Sequence, residues 1–179
     1  MKSRAVLPLF VAITACAVMV YAADDKEKAR KDTGKQTGLE RFKQLAGDWT
    51  GKGAFNGKEM DNVQIKYKVT SNGTAVVETI GPGTEHEMVT VIHQDGNDLA
   101  LTHYCALGNQ PHMKARIKDD ANKVDFEFTG ASNLKSDKEM HMHSVTYTFV
   151  DKDTLRADWT NYNDGKKAGT AIFELKRKK

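Results

Sequence analysis

The sequence lacks the cysteine content and the short motifs that define several protein classes. It has only two cysteines, Cys16 and Cys105, and three prolines in 179 residues. It contains no Cys-x-x-Cys motif and no glycine-rich phosphate loop. These absences argue against a disulfide scaffold, a dithiol redox centre and a phosphate-loop nucleotide enzyme.

The chain also lacks a strong excess of charge of one sign. Lysine and arginine number 27 against 24 acidic residues, a net charge of +3. Removal of residues 1–22 as a leader would take away Lys2 and Arg4 and no acid, which leaves +1. Because the lysines alternate with acids and form no basic face, we predict that nucleic acid is not a partner.

Residues 1–22 are predicted to be a signal peptide. Lys2 and Arg4 precede an apolar stretch, and Val20-Tyr21-Ala22 supplies small residues for cleavage. The apolar stretch is short and charged residues follow at once, so we expect no stable membrane insertion after leader removal. The prediction is export to the periplasm or secretion.

Lipoprotein anchoring is the alternative for the leader. Ile13-Thr14-Ala15-Cys16 resembles a lipobox, which would attach lipid to Cys16. Residues 17–21 remain apolar, however, where a lipoprotein tether is usually polar. Cleavage after Ala22 is therefore favoured, and it leaves Cys105 without an intramolecular disulfide partner.

Residues 23–36 are almost all polar or charged and are predicted to be a flexible linker. Residues 37–179 are predicted to form one domain that begins with a short helix. Thr37 and Glu40 have the spacing of a capping box, and the apolar residues that follow recur on one face: Leu39, Phe42 and Leu45.

The remainder of the chain alternates apolar and polar residues, as strands do. The alternation is clearest over 63–69, and Asn72-Gly73 is a strong hairpin turn. Short connections favour an all-β, antiparallel up-and-down β-barrel of about ten strands over a two-sheet sandwich. The predicted strands are 48–56, 63–69, 75–80, 86–94, 99–105, 112–118, 123–129, 141–150, 154–162 and 167–176.

Several motifs then resemble a known family. Gly47-Asp48-Trp49 is similar to the Gly-x-Trp signature of lipocalin and calycin barrels, and residues 83–88, 102–111 and 141–143 resemble a lipocalin-like family of exported bacterial proteins of uncharacterised function. The resemblance covers roughly Leu39 to Lys176. It implies a binding mouth beside the first hairpin and a basic side chain over Trp49, for which Arg177 is the nearest candidate.

A register argument places several chemically active side chains inside this barrel. A two-residue turn at Gly96-Asn97 sets the cross-strand pairs Ile92–Leu101, Thr90–His103 and Met88–Cys105. His103 and Cys105 then project inward beside Met88, and His86 lies on the same face nearer the rim.

The later pair His141 and His143 shares its parity with Val145, Tyr147 and Phe149, which form an apolar face. In a meander, these strand ends all reach one rim of the barrel. We therefore predict that His86, His103, His141 and His143 converge at the open mouth. By contrast, Glu78, Asp125 and Glu127 are expected to face solvent.

This cluster allows three interpretations. A three-histidine centre, with Cys105 as an additional ligand, would suit zinc or copper and could serve a hydrolase or isomerase. A metal-free pocket for a small-molecule ligand is favoured over that enzyme, and the third interpretation is a purely structural cluster in a filled barrel. The protein is expected to be a monomer. The predicted ligand-binding residues are Met88, His103, Cys105, Asn109, Gln110 and Tyr147.

Overall fold

The computed structural model describes residues 38–116 and 122–179. The predicted signal peptide (1–22), the linker (23–36), Cys16 and the capping residue Thr37 lie outside the described residues. Within the described ranges, no helix has the length and apolar character that a membrane span requires.

The described chain forms one closed antiparallel barrel of ten strands. Each strand pairs with the next in sequence, and the last pairs with the first, which confirms the predicted up-and-down barrel. Helix α1 (Gly38–Lys43) precedes the strands. The strands are β1 (Gly47–Phe55), β2 (Lys58–Thr70), β3 (Ala75–Ile80), β4 (Met88–Asp95), β5 (Asp98–Tyr104), β6 (Gln110–Arg116), β7 (Lys123–Ser132), β8 (His141–Asp151), β9 (Thr154–Asn163) and β10 (Lys166–Arg177).

The predicted strands 86–94 and 99–105 extend beyond the observed strands at the open end of the barrel. Strand β4 begins at Met88 rather than His86, because turn hydrogen bonds from Thr84 to Gly81 and from Glu87 to Thr84 hold the preceding loop. Strand β5 ends at Tyr104, since the Cys105 amide bonds the carbonyl of Asn109 in the following turn. His86 and Cys105 therefore lie in loops at the rim.

Helix α1 covers one end of the barrel. With only six residues it is too short to be stable alone, so packing must hold it. Phe42 is fully buried, and its ring makes edge contacts with Tyr147 at 5.0 Å and Phe149 at 5.3 Å. Leu39 and Lys43 lie beside the β2–β3 and β4–β5 turns. The opposite end, where the first hairpin lies, is left open.

Arg177 joins the last strand to the helix and to the first strand. Its guanidinium lies 4.5 Å from the centroid of the Trp49 ring, which confirms the expectation that it covers this tryptophan. Its terminal nitrogens donate to the carbonyls of Ala46 at 2.8 Å and Gln44 at 2.7 Å. These carbonyls lie just after the helix, where backbone acceptors have no partner within the helix itself.

Replacing Arg177 with alanine is expected to lower the free energy of unfolding by about 2 kcal/mol, because a cation–π contact and several charge-assisted hydrogen bonds are lost together. Arg177→Lys should recover less than half of that loss, since an ammonium cannot reproduce the planar fork. Urea denaturation measures both. Lys176→Ala, on the exposed side of the same strand, is the control and should change stability by less than about 0.5 kcal/mol.

Candidate functional site

A cavity opens at the end of the barrel away from α1. Its volume is about 610 Å³, within the range of small-molecule sites. The walls come from the first hairpin, from the β3–β4 and β5–β6 loops, and from the strand ends near them. They are mainly apolar, with Ile80, Met88, Met142, Trp159 and Phe173 among the lining residues. This space at the open end differs from the filled interior that a purely structural cluster would require.

The structure brings four of the predicted site residues to the cavity. Met88, His103, Cys105 and His86 are all lining residues. His103 is buried, whereas Met88 and Cys105 are half-buried. His86 is exposed at the mouth, where its Nε2 lies 3.4 Å from Glu85 Oε1. Burial raises the pKa of the Cys105 thiol, so this cysteine favours its neutral form.

His141 and His143 do not line the cavity, and the prediction that they project into it is wrong. Strand β8 has a register shift between Met142 and Ser144, where one extra residue enters the ladder with β9. Such a β-bulge interrupts the alternation of side chains. Met142, opposite Asn161, therefore lines the cavity in place of its two histidine neighbours.

The two histidines bind each other instead. His141 Nδ1 donates to the carbonyl of Glu139 at 2.7 Å, which leaves Nε2 to accept from His143 Nδ1 at 3.1 Å. The His143 ring stacks on Tyr162, with 3.7 Å between centroids, and on Phe128. Desolvation and the neighbouring His141 both lower the pKa of His143.

The predicted zinc or copper centre is therefore not assembled. His86 and His103 lie in the cavity wall, whereas His141 and His143 lie outside it. In residues 38–116 and 122–179, no group of three or more histidine, cysteine, aspartate or glutamate side chains has the arrangement of a metal site. The positions of the four histidines therefore do not support a hydrolase or isomerase built on a three-histidine metal centre.

The other predicted ligand-binding residues are hydrogen-bonded within the protein and are not among the lining residues. Asn109 Nδ2 donates to the carbonyl of Met140 at 2.9 Å, and Gln110 Nε2 donates to that of Gly108 at 3.0 Å. Tyr147 is fully buried deeper in the barrel. Asn109 thus connects the β5–β6 loop to the residue that precedes β8.

A buried carboxyl group was missed by the sequence interpretation. Glu78 was expected to face solvent, but none of its surface is exposed. It shares its face of β3 with Val76 and Ile80, both buried. The same alternation that identifies the core face of β3 could have identified Glu78 as an inward residue.

Glu78 is held by hydroxyl groups from three other strands. Tyr67 Oη donates to Oε1 at 2.6 Å, and Tyr147 Oη donates to Oε2 at 3.0 Å. Thr90, directly opposite in the ladder, also hydrogen-bonds the carboxyl group. Desolvation raises the pKa of Glu78, and these hydrogen bonds oppose that rise. Burial likewise raises the pKa of both tyrosines, which keeps them protonated donors.

The network continues from Thr90 to the cavity wall. Thr90 Oγ1 lies 3.0 Å from His103 Nδ1, so Glu78, Thr90 and His103 form a connected series, which we call the polar relay. Burial lowers the pKa of His103 to about 4, and the ring is therefore neutral at physiological pH. Its Nε2 is buried and has no hydrogen-bond partner within the described part of the chain.

Trp159 lies beside His103, with 4.7 Å between ring centroids. Its Nε1 is also buried and also lacks a partner among the described residues. Both residues line the cavity. An acceptor or donor left unpaired in a protein interior costs free energy, so a bound molecule that satisfies these atoms would gain affinity.

Fold and site together define an up-and-down β-barrel with a mainly apolar cavity at its open end. No protein-family model and no curated protein matches the chain. Among solved structures, it is similar to Rv2717c from M. tuberculosis, at 14% identity over 79% of this chain and 97% of that one, with a TM-score of 0.58. That likeness shows the fold alone.

A second solved structure is a protein of unknown function from the DUF3598 family of Nostoc punctiforme. Its sequence is 11% identical to this chain. The aligned region covers 81% of this chain and 100% of the Nostoc protein, with a TM-score of 0.22.

Proposed function

We propose that this chain is an exported, lipocalin-like protein that binds a small, largely apolar molecule in the open cavity of its barrel. The observation that carries the proposal is the cavity of about 610 Å³. Two of its lining residues, His103 and Trp159, each carry a buried ring nitrogen that has no partner among the described residues. Sites for small molecules combine these features, since apolar surface supplies affinity and a few polar groups fix orientation.

Two further features support the lipocalin-like assignment. Trp49 stands in a Gly-x-Trp sequence at the start of β1, and Arg177 of the last strand lies across its ring. The leader-like residues 1–22 support export. Because all ten described strands have two neighbours, no strand edge is open for pairing with another chain, which supports a monomer.

The proposal can be tested by filling the cavity. Met88→Trp enlarges a lining residue and should weaken the binding of diphenylhexatriene, a hydrocarbon probe that fluoresces in apolar surroundings, at least about tenfold. Val89→Trp is the matched control, because Val89 is adjacent in β4 but does not line the cavity. Fluorescence titration gives the affinities, and circular dichroism checks that both variants fold.

Equal probe binding by Met88→Trp and wild type would place the probe elsewhere and refute the cavity as the binding site. Failure of the wild-type protein to bind this probe or any of the decyl compounds described below would refute the proposed function itself.

A further inference from the structure

We propose that the cavity selects neutral ligands with a hydroxyl group, namely alcohols or phenols with an apolar body. The hydroxyl would donate to His103 Nε2 and accept from Trp159 Nε1. This inference rests on the proposed function and adds the chemical class of the ligand. It starts from two buried ring nitrogens that have no partner in the described part of the chain and that belong to residues lining the cavity.

We assign the proton of the neutral His103 ring to Nδ1, on the basis of the polar relay. Glu78 is a buried acceptor for two tyrosine hydroxyl groups, and Thr90, opposite it in the ladder, also hydrogen-bonds its carboxyl group. A threonine hydroxyl has a single hydrogen, so a Thr90 that donates to an ionised Glu78 accepts from His103 Nδ1, which lies 3.0 Å from its Oγ1. The proton of a neutral imidazole is then on Nδ1, and Nε2 presents a lone pair.

Trp159 supplies the complementary group. An indole nitrogen can only donate, and this one lies in a ring next to the His103 imidazole. One hydroxyl group has both a hydrogen to donate and lone pairs to accept. In the proposed complex one hydroxyl group satisfies His103 and Trp159 together, which an ether oxygen cannot do because it has no hydrogen.

The same wall disfavours an anionic ligand. None of the described lining residues is a lysine or an arginine, and His103 would meet a carboxylate with a lone pair. Taking an ionised carboxylate out of water without a cationic partner is costly. The flexible side chains of Met88 and Met142, both in the wall, can shift to let a hydroxyl reach the shielded nitrogens.

Competition against diphenylhexatriene tests this selectivity. Three compounds share a decyl chain and differ at one end: 1-decanol, 1-methoxydecane and decanoate. At pH 7.5 we expect 1-decanol to compete at least about tenfold better than 1-methoxydecane, because the ether leaves His103 Nε2 unpaired. Decanoate should also compete less well than 1-decanol.

Substitutions at His103 and Thr90 test whether the preference for alcohol over ether depends on the polar relay. His103→Phe keeps a ring of similar size and should bring the ratio between alcohol and ether, each measured against the probe affinity of that variant, close to one. Thr90→Val keeps the shape and removes the hydroxyl that orients His103, so the ratio should fall. His112→Phe is the control, since His112 bonds Thr102 and Ser132 and does not line the cavity. Its ratio should match wild type.

The outcomes separate this inference from the proposed function. Probe binding with equal competition by 1-decanol and 1-methoxydecane, or with stronger competition by decanoate, would overturn the hydroxyl selectivity and leave a binding protein. A wild-type ratio that persists in His103→Phe would overturn the role of His103. If His103→Phe does not fold, the hydroxyl selectivity is still tested by the ratio between 1-decanol and 1-methoxydecane in the wild type and in Thr90→Val.

Discussion

Replacing Glu78 with alanine is expected to lower the free energy of unfolding by about 4 kcal/mol, because the change leaves buried hydroxyl donors without an acceptor and opens a cavity. Tyr67 and Tyr147 donate to this carboxyl group, and Thr90 also hydrogen-bonds it. Urea denaturation measures the loss. Glu127→Ala is the matched control, since Glu127 is exposed in β7, and it should cost less than about 0.5 kcal/mol.

A combined variant distinguishes lost hydrogen bonds from lost packing. Replacing Glu78 with leucine and both tyrosines with phenylalanine removes the acceptor and the two tyrosine donors together and leaves Thr90, which can still bond His103. It should recover at least half of the stability lost in Glu78→Ala, because a fully apolar cluster contains fewer unpaired groups. A Glu78→Ala protein as stable as wild type would show that the network does not hold the strands together.

Lowering the pH from 7.5 to 4 is expected to cost the wild type about 3 kcal/mol relative to His103→Gln, because the pKa of His103 falls from 6.5 to about 4 on folding. The sign follows from proton binding. Between these values the unfolded chain takes up a proton that the folded protein does not. Stability is therefore complete above pH 6.5 and is lost as the pH falls toward 4.

The comparison with the variant isolates His103. The pKa of Glu78 is raised by burial, so its contribution has the opposite sign and becomes less unfavourable as the pH falls. Both proteins contain Glu78, and its contribution largely cancels in the difference. Urea titrations of the two proteins at half-unit pH steps would give the curve. Parallel curves would contradict the burial of a neutral His103.

Alternation and turn chemistry were sufficient to predict the barrel and part of the candidate site. The two-residue turn after Asp95 fixes the β4–β5 register, so the pairs Ile92–Leu101 and Thr90–His103 are both found as predicted. His103 is accordingly buried in the cavity wall. Within an unbroken ladder, one known turn determines the face of every residue.

The same reasoning failed where the ladder is interrupted. The bulge at His143 has no signature in the local sequence, since His141 to Ser144 contains neither glycine nor proline. One inserted residue reversed the assignment for His141 and His143. The error with Glu78 had another origin: its charge was given more weight than its parity with Val76 and Ile80. The tyrosine hydroxyls that allow its burial come from strands distant in sequence.

Pairing of the first strand with the last has a kinetic consequence. Trp49 lies opposite Arg177 in the β1–β10 ladder, so the contact that completes the ring joins nearly the whole length of the domain. Closing so large a loop is slow compared with forming hairpins between neighbours. A nascent chain on the ribosome cannot close the barrel until β10 (Lys166–Arg177) has emerged, and until then β1 has only β2 as a neighbour.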